Sequence, residues 1–155
     1  MQVLEKQTLS VQNVISTRRT VTQEKAQEVM LGLMKYVDAS GAKKAGSPIS
    51  VTYSVDAGTK MMDVELYLPI DKEVPSNGDY TFKPELCLHN CVKITHKGHP
   101  MRLQSCTDEL NAYILKNKLA PVSPGFMVNR YEVTRQEDLD LFEVDIYVSV
   151  APTVI

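Results

Sequence analysis

The pattern β–α–β–β occurs twice in this chain of 155 residues, and it constrains the fold more than any other feature of the sequence. In the first half, apolar residues recur at steps of three and four between Thr22 and Val37, which is typical of an amphipathic helix. Thr22 is placed to cap this helix, and Gly41 is placed to end it. A polar, β-branched stretch at 8–20 precedes the helix, and two alternating segments that predict strands follow it at 49–55 and 62–68.

The second half repeats this order. A predicted strand, His89–His96, precedes a second helical stripe, and predicted strands at Phe126–Thr134 and Leu141–Val150 follow. The apolar residues of the stripe are Leu103, Cys106, Leu110, Tyr113 and Ile114. Matching landmarks in the two halves are offset by 76 to 80 residues, and four of them occur in the same order. This agreement indicates an internal duplication.

The duplication predicts an α+β fold class, in which a duplicated β–α–β–β unit forms a continuous antiparallel sheet. Two helices pack on one face of this sheet, because a helix with an apolar stripe must bury it, and the opposite face stays open. The length suits a single domain over 1–155, with repeat one at about 7–70, a linker at about 71–86 and repeat two at about 87–150.

Each repeat carries the series acid–x–acid–x–Tyr in its last strand, on the face predicted to be open. Side chains two apart on a strand point the same way, so each trio shares one face. A carboxylate in a partly apolar pocket needs a charged partner, and a ligand cation supplies one while Tyr rings add cation–π attraction. The alternative is a polar face that simply meets water. The candidate ligand-binding residues are Asp63, Glu65, Tyr67, Glu143, Asp145, Tyr147 and, as a further ring, Tyr131.

Composition excludes several other classes of function. A net charge of −2 gives no electrostatic reason to bind nucleic acid, so no nucleic-acid partner is predicted for the chain by itself. No apolar run approaches 18 residues, and residues 1–10 lack the apolar core of a secretory signal, so no membrane association is predicted. The three Cys are an odd number, which favours reduced thiols and a cytoplasmic location.

Other chemistry-bearing residues give weaker patterns. One short segment is rich in possible zinc ligands: Cys87, His89, Cys91, His96 and His99. Their spacing fits no zinc-binding pattern, and the parity of His96 along the strand is opposite to that of Cys87, His89 and Cys91, so its side chain is predicted to point to the other face. Cys106 falls on the apolar stripe of the second helix, which predicts a buried, inert thiol. No phosphate-binding loop, dinucleotide fingerprint or catalytic triad signature occurs. The sequence therefore predicts no metal, no cofactor and no catalytic residue.

The duplicated order resembles the gyrase-inhibitor-like superfamily, also called the bacterial transcription-activator effector-binding domain, over nearly the whole chain. The strongest local match is Lys93-Ile94-Thr95-His96-Lys97-Gly98 followed by Leu103, Leu110 and Tyr113. The segment Phe142–Val150 is similar to the family's closing strand, with Asp145 at its acidic position and Ser149 at its Pro position. In the first half, Glu65 precedes Pro69 with the same spacing.

The resemblance implies a bacterial, non-enzymatic protein that binds or senses a small hydrophobic or cationic ligand in a cleft between the two repeats. Two departures from the family pattern favour an alternative. Asp145 is one methylene shorter than the usual Glu, and Pro100 stands where the family often has an aromatic residue. An altered pocket of this kind favours a protein-interaction module or an inhibitor of a cellular enzyme such as gyrase. A small-molecule hydrolase is the third hypothesis, since some relatives hydrolyse cyclopropane-bearing toxins.

Overall fold

The computed structural model describes residues 2–131 and 135–152. The chain divides into two compact units. We call Ser10–Cys87 the N-unit, and Met1–Leu9 together with Leu88–Ile155 the C-unit.

The N-unit is built from one helix, three antiparallel strands and the first part of a further strand, β4, at residues 81–87. Its sheet has β3 in the middle, because β3 pairs with β1 on one side and with β2 on the other. The elements are β1 (Leu4–Val21, in this unit from Ser10 onwards), α1 (Gln23–Ala39), β2 (Ile49–Val55) and β3 (Met62–Pro69).

The C-unit has the same order of elements. Its middle strand is β6, which pairs antiparallel with both β4 and β5. Two short 3₁₀ turns, Pro100–Arg102 and Gln136–Leu141, precede α2 and β6 respectively. The elements are β4 (Thr81–Lys97, in this unit from Leu88 onwards), α2 (Leu103–Lys116), β5 (Phe126–Tyr131) and β6 (Glu143–Ser149).

Helix α1 begins and ends at the residues that the sequence predicts. The side chain of Thr22 accepts a hydrogen bond from the backbone N–H of Lys25 at 3.4 Å, which satisfies one free donor of the first turn. At the other end Gly41 adopts a φ of 78°, and the N–H of Ala42 bonds back to the carbonyl of Val37 at 3.1 Å. This left-handed termination favours glycine, because a Cβ is strained in that region.

Each helix buries its apolar stripe on the sheet of its own unit. In the N-unit, Leu33 and Val37 of α1 belong to one core cluster with Ile15, Leu66 and Leu68. The corresponding cluster of the C-unit packs α2 against β4 and the middle strand β6. It contains Cys106, Leu110, Ile114, Val92, Ile94, Val144 and Ile146. The even-numbered apolar faces of β3 and β6 therefore face the helices, as predicted, and the α+β class is confirmed.

Three features differ from the sequence-based expectations. The face of the N-unit sheet opposite α1 is not open, since Ile49, Val51 and Tyr67 on that face are all buried. Strand β4 begins at Thr81, inside the stretch predicted as a linker, and is much longer than His89–His96. Strand β5 is described as far as Tyr131, and residues 132–134 of the predicted strand lie outside the described residues. None of the described helices is long and apolar enough to cross a membrane.

Candidate functional site

The middle strand of each unit carries one acid at the same position of the sheet. Glu65 of β3 lies opposite Arg18 of β1 and Val51 of β2. Asp145 of β6 lies opposite Thr95 of β4 and Val128 of β5. Because directly paired residues share a face, the register fixes which side chains surround each acid.

Glu65 is the centre of a hydrogen-bonded cluster in the N-unit. The hydroxyls of Tyr53 and Tyr67 both donate to Glu65 Oε1, each at 2.7 Å. Lys83 Nζ lies 3.5 Å from the other carboxylate oxygen, Oε2. The side chain of Glu65 is only 12% exposed, so its charge is shielded from water and is stabilised by two hydrogen bonds and one ion pair. We call Glu65, Tyr53, Tyr67 and Lys83 the Glu65 cluster.

A β-bulge brings Tyr53 into the Glu65 cluster. The pairing of β2 with β3 shifts between Thr52 and Ser54, so Tyr53 is an extra residue in the ladder. A bulge of this kind places two residues of one strand opposite one residue of its partner. As a result, Tyr53 reaches the carboxylate while Ser54 remains opposite Asp63.

The Glu65 cluster keeps the carboxyl group ionised. Burial alone raises the pKa of Glu65, but the hydrogen bonds from the two tyrosine hydroxyls and the nearby Lys83 ammonium outweigh it and hold that pKa below its usual value. Burial and the hydrogen bond to this carboxylate raise the pKa of Tyr67, and the same two causes raise that of Tyr53. The site therefore presents a carboxylate and two neutral phenols at neutral pH.

A cation already lies against the ring of Tyr67. Lys83 Nζ is 4.9 Å from the centroid of that ring, in addition to its contact with Glu65. A distance below about 6 Å between an ammonium and a ring face is within the range of cation–π attraction. The Glu65 cluster thus combines the two elements that recognise a cation, a shielded carboxylate and an aromatic face.

Asp63 forms an ion pair with Arg18 at the surface, beside the Glu65 cluster. Arg18 donates two hydrogen bonds to the Asp63 carboxylate, from Nε to Oδ1 at 3.0 Å and from Nη2 to Oδ2 at 2.8 Å. This hydrogen-bonded pair lowers the pKa of Asp63. The guanidinium of Arg18 also lies 4.0 Å from the centroid of the Tyr53 ring. Arg18 therefore fixes both Asp63 and one wall of the cluster.

Asp145 of the C-unit is more deeply buried, and its charge is already balanced. Its side chain is 4% exposed, and Thr95 donates a hydrogen bond to Oδ1 at 2.6 Å. Two cations lie near the other oxygen, Oδ2: Arg130 at 3.3 Å and Lys93 Nζ at 3.7 Å. The bulge between Asn129 and Tyr131 brings Arg130 to this position. A ligand cation at Asp145 therefore has to compete with two resident cations, which the sequence analysis did not anticipate.

The remaining candidates of the C-unit lie around this ion pair. Lys93 Nζ is 5.3 Å from the centroid of the Tyr147 ring, and the guanidinium of Arg130 is 3.6 Å from Glu143. Tyr131 lies opposite Glu143 in the sheet and is 46% exposed. The structure thus brings Asp145, Tyr147 and Glu143 into contact with shared cations, whereas Tyr131 lies at the exposed end of β5.

The sequence analysis missed the basic and hydroxyl partners of both acids. Lys93 and Thr95 had a usable signal, because alternation along β4 puts them on the face opposite Ile94. Lys83 had none, since it lies in the stretch interpreted as a linker. Arg18 and Arg130 are identified only once the pairing of β1 with β3 and of β5 with β6 is known.

The cysteine and histidine residues of β4 give no further site. Among residues 2–131 and 135–152, no group of three or more His, Cys, Asp or Glu side chains is arranged to hold a metal ion. His96 lies on the helix-facing side, as its parity predicts. It is buried, and its Nε2 lies 3.0 Å from the carbonyl of His99. Cys106 is buried, as predicted, and burial raises the pKa of its thiol.

Comparison of sequences gives no relative: no protein-family model matches the chain, and no curated protein matches it. Comparison of structures finds proteins of similar fold. The crystal structure of the EcmrR C-terminal domain superposes with a TM-score of 0.77 at 15% identity, over 98% of each chain. In the cryo-EM structure of the EcmrR–DNA complex the TM-score is 0.79, and the alignment covers 98% of this chain but only 58% of EcmrR.

More distant structures share the same architecture. An uncharacterised conserved protein from Listeria innocua has a TM-score of 0.68 at 8% identity, over 95% of this chain and 93% of its own. SAV2435 bound to tetraphenylphosphonium has a TM-score of 0.52 at 12% identity, over 97% of this chain and 93% of its own. At identities of 15% or less, these likenesses establish the fold alone. The chain therefore has the fold of the EcmrR C-terminal domain.

Proposed function

We propose that this protein binds small hydrophobic cations without transforming them, and that the Glu65 cluster recognises their charge. The observation that carries the proposal is the carboxylate of Glu65, 12% exposed and held ionised by two tyrosine hydroxyls beside an aromatic face. A shielded carboxylate attracts a cation more strongly than an exposed one, because water screens it less. The Tyr67 ring adds attraction of about 0.5–2 kcal/mol for a cation placed over its face.

The structural comparison supports the same class of ligand. SAV2435, a protein of similar fold, is bound to tetraphenylphosphonium, a lipophilic cation. In our proposal the effector-binding role implied by the sequence resemblance is kept, and the charge-recognising acid is Glu65 rather than Asp145. Asp145 with Tyr147 is a second, weaker candidate, since two resident cations already balance its charge. The location of the ligand cleft between the two repeats stays a prediction.

Replacing Glu65 by Gln is expected to weaken the binding of tetraphenylphosphonium at least about tenfold, equivalent to about 1.4 kcal/mol. Glutamine keeps the shape of the side chain and an oxygen that accepts the tyrosine hydrogen bonds, but it removes the charge. Isothermal titration calorimetry on purified wild type and E65Q measures the difference. The neutral compound triphenylphosphine oxide is the matched ligand, and its affinity should be the same for both proteins. Equal affinity of wild type and E65Q for the phosphonium, or no binding to the wild type, would contradict the proposal.

The pKa of Glu65 predicts how stability depends on pH. Its folded-state pKa lies below the value in the unfolded chain, which is about 4.3. The stabilisation that the carboxylate provides is therefore present above about pH 4.3, and it is lost as pH falls through the folded-state pKa. We expect the wild type to exceed E65Q in free energy of unfolding at pH 7, and the difference to shrink towards pH 3. Urea unfolding of both proteins at the two pH values measures this. A difference that grows on acidification would mean that the pKa is raised instead.

We also infer that the two units derive from one ancestral β–α–β–β unit. Both units have the same order of elements and the same middle strand. Glu65 and Asp145 occupy equivalent register positions, and each outer strand that follows a helix has a bulge one residue before the partner of Asp63 or Glu143. These internal agreements support the duplication predicted from the sequence.

A further inference from the structure

The cation position of the Glu65 cluster is filled by the chain itself. Lys83 Nζ lies 3.5 Å from Glu65 Oε2 and 4.9 Å from the centroid of the Tyr67 ring. The hydroxyls of Tyr53 and Tyr67 use the other carboxylate oxygen, so Oε2 is the oxygen that faces a cation. The ammonium group of Lys83 therefore makes the two contacts that a bound cation needs.

The burial of the two partners is unequal. The Glu65 side chain is 12% exposed, whereas that of Lys83 is 38% exposed. Lysine carries its charge on a flexible four-carbon stem, and an ammonium that is partly in water gives up little when it moves fully into water. Displacement of Lys83 therefore costs little, while the carboxylate and the ring remain in place.

We propose that Lys83 is a tethered competitor at this site, so that a ligand cation binds by displacing its ammonium group, and that this competition selects bulky, weakly hydrated cations over primary amines. The inference rests on the proposed function of the Glu65 cluster. A free primary amine makes the same contacts as Lys83 and also loses its freedom of translation on binding, so it gains nothing by exchange. A phosphonium or quaternary ammonium cation with aryl groups adds apolar burial that the lysine lacks.

Lys93 of the C-unit provides a comparison within the same chain. It too contacts an acid and a tyrosine ring, at 3.7 Å from Asp145 and 5.3 Å from the Tyr147 centroid. Asp145 also has Arg130 at 3.3 Å, so removal of Lys93 leaves a cation beside the acid. Among the ion pairs of the described residues, Glu65 pairs with Lys83. Removal of Lys83 leaves the carboxylate with the two tyrosine hydroxyls and with the weaker attraction of Arg18, whose guanidinium is paired with Asp63.

The test compares tetraphenylphosphonium affinity in the full chain and four variants: K83M, E65Q, the double variant E65Q/K83M, and K25M. Lys25 is the matched control, because it lies in the same unit and forms an exposed ion pair with Glu28 on helix α1. A site that its own lysine fills about 80–90% of the time binds ligand about five- to tenfold more weakly than the empty site. We therefore expect K83M to bind the phosphonium about five- to tenfold more tightly than the wild type, and K25M to bind it equally.

The affinities of these variants distinguish the proposed function of the Glu65 cluster from the proposed role of Lys83. If E65Q weakens binding but K83M binds no more tightly than the wild type, the Glu65 site stands and the competitor role is wrong. If K83M binds more tightly and the gain disappears in E65Q/K83M, the competitor role is supported through the carboxylate, as a double-mutant cycle requires. If neither the wild type nor K83M binds the phosphonium, both proposals are overturned. Butylammonium should bind the wild type much more weakly than tetraphenylphosphonium does, and comparable affinity would overturn the selectivity.

A second measurement uses the wild-type protein and does not depend on the folding of any variant. Lysines are acetylated briefly with an N-hydroxysuccinimide ester, with and without saturating tetraphenylphosphonium, and the rate at each lysine is read by peptide mass spectrometry. Displacement should expose Lys83 and increase its rate of acetylation, while Lys25 stays unchanged. A decrease at Lys83 would mean that the ligand covers the lysine instead of displacing it, and would overturn the proposal.

Discussion

Replacing Asp145 by Asn is expected to lower the free energy of unfolding by about 3 kcal/mol. Asp145 is 4% exposed, and its partner Lys93 is only 18% exposed, so this pair is largely shielded from water. Arg130, the second cation at Asp145, is 52% exposed and contributes less. Removing one partner of a buried ion pair typically costs about 3–5 kcal/mol, because the other charge remains without compensation. The value lies at the lower end here, since the asparagine oxygen still accepts the hydrogen bond from Thr95.

The control for this prediction is Asp63→Asn in the N-unit. Asp63 also pairs with an arginine, but the Arg18 side chain is 54% exposed and water screens the pair. Exposed ion pairs contribute little to stability, so D63N should lower the free energy of unfolding far less than D145N does. Urea unfolding of both variants at pH 7 gives the comparison. Equal losses for D145N and D63N would show that burial does not govern the strength of these acids' ion pairs.

Replacing Leu110 by Ala is expected to lower the free energy of unfolding by about 3 kcal/mol as well, for a different reason. Leu110 is 1% exposed and packs in the cluster of α2 with Val144 and Ile146 of β6. Truncating a buried leucine loses its transfer free energy and leaves a cavity, at a total cost of about 2–5 kcal/mol. No polar partner is affected, so this variant measures packing alone.

Leu115→Ala is the matched control on the same helix. Leu115 is 81% exposed, so the same deletion creates no cavity. We expect its free energy of unfolding to stay within about 0.5 kcal/mol of the wild type. Thermal and urea unfolding of both variants provide the measurement. A cost at Leu115 similar to that at Leu110 would mean that α2 packs by another face than the one described.

The helices were predictable because their signals are local. The apolar period near 3.6, the cap at Thr22 and the stop at Gly41 all lie within the segment that they define, and α1 has the expected ends within one or two residues. The start of β4 was not predictable in this way. Residues 81–86 contain Pro84 and two charged residues and show no clean alternation, so only pairing with other strands makes them a strand.

The candidate site was predictable in part for the same reason. A period of two places Asp63, Glu65 and Tyr67 on one face, and the register of β3 agrees with this. The partners of the acids come from other strands, and no local pattern encodes which residue of β1, β2 or β4 lies beside Glu65. Sequence reasoning therefore proposed both Glu65 and Asp145 as charged residues of the site, without the groups that surround them. The structure shows that the surroundings of the two acids differ: two cations contact Asp145, whereas tyrosine hydroxyls and one cation contact Glu65.

At each of the two bulges, the residue that contacts the acid can be substituted without changing how the strands pair. Tyr53 and Arg130 are the extra residues at their bulges, so neither has a paired residue opposite it in the ladder that restricts its identity. In one unit this position gives the acid a neutral phenol, and in the other a guanidinium. A single codon at such a position therefore exchanges a neutral partner of the carboxylate for a charged one, with no change to the strands around it. Under the proposed function, ligand selectivity has a route of evolution that does not involve the folding core, and the same two positions are open to protein engineering.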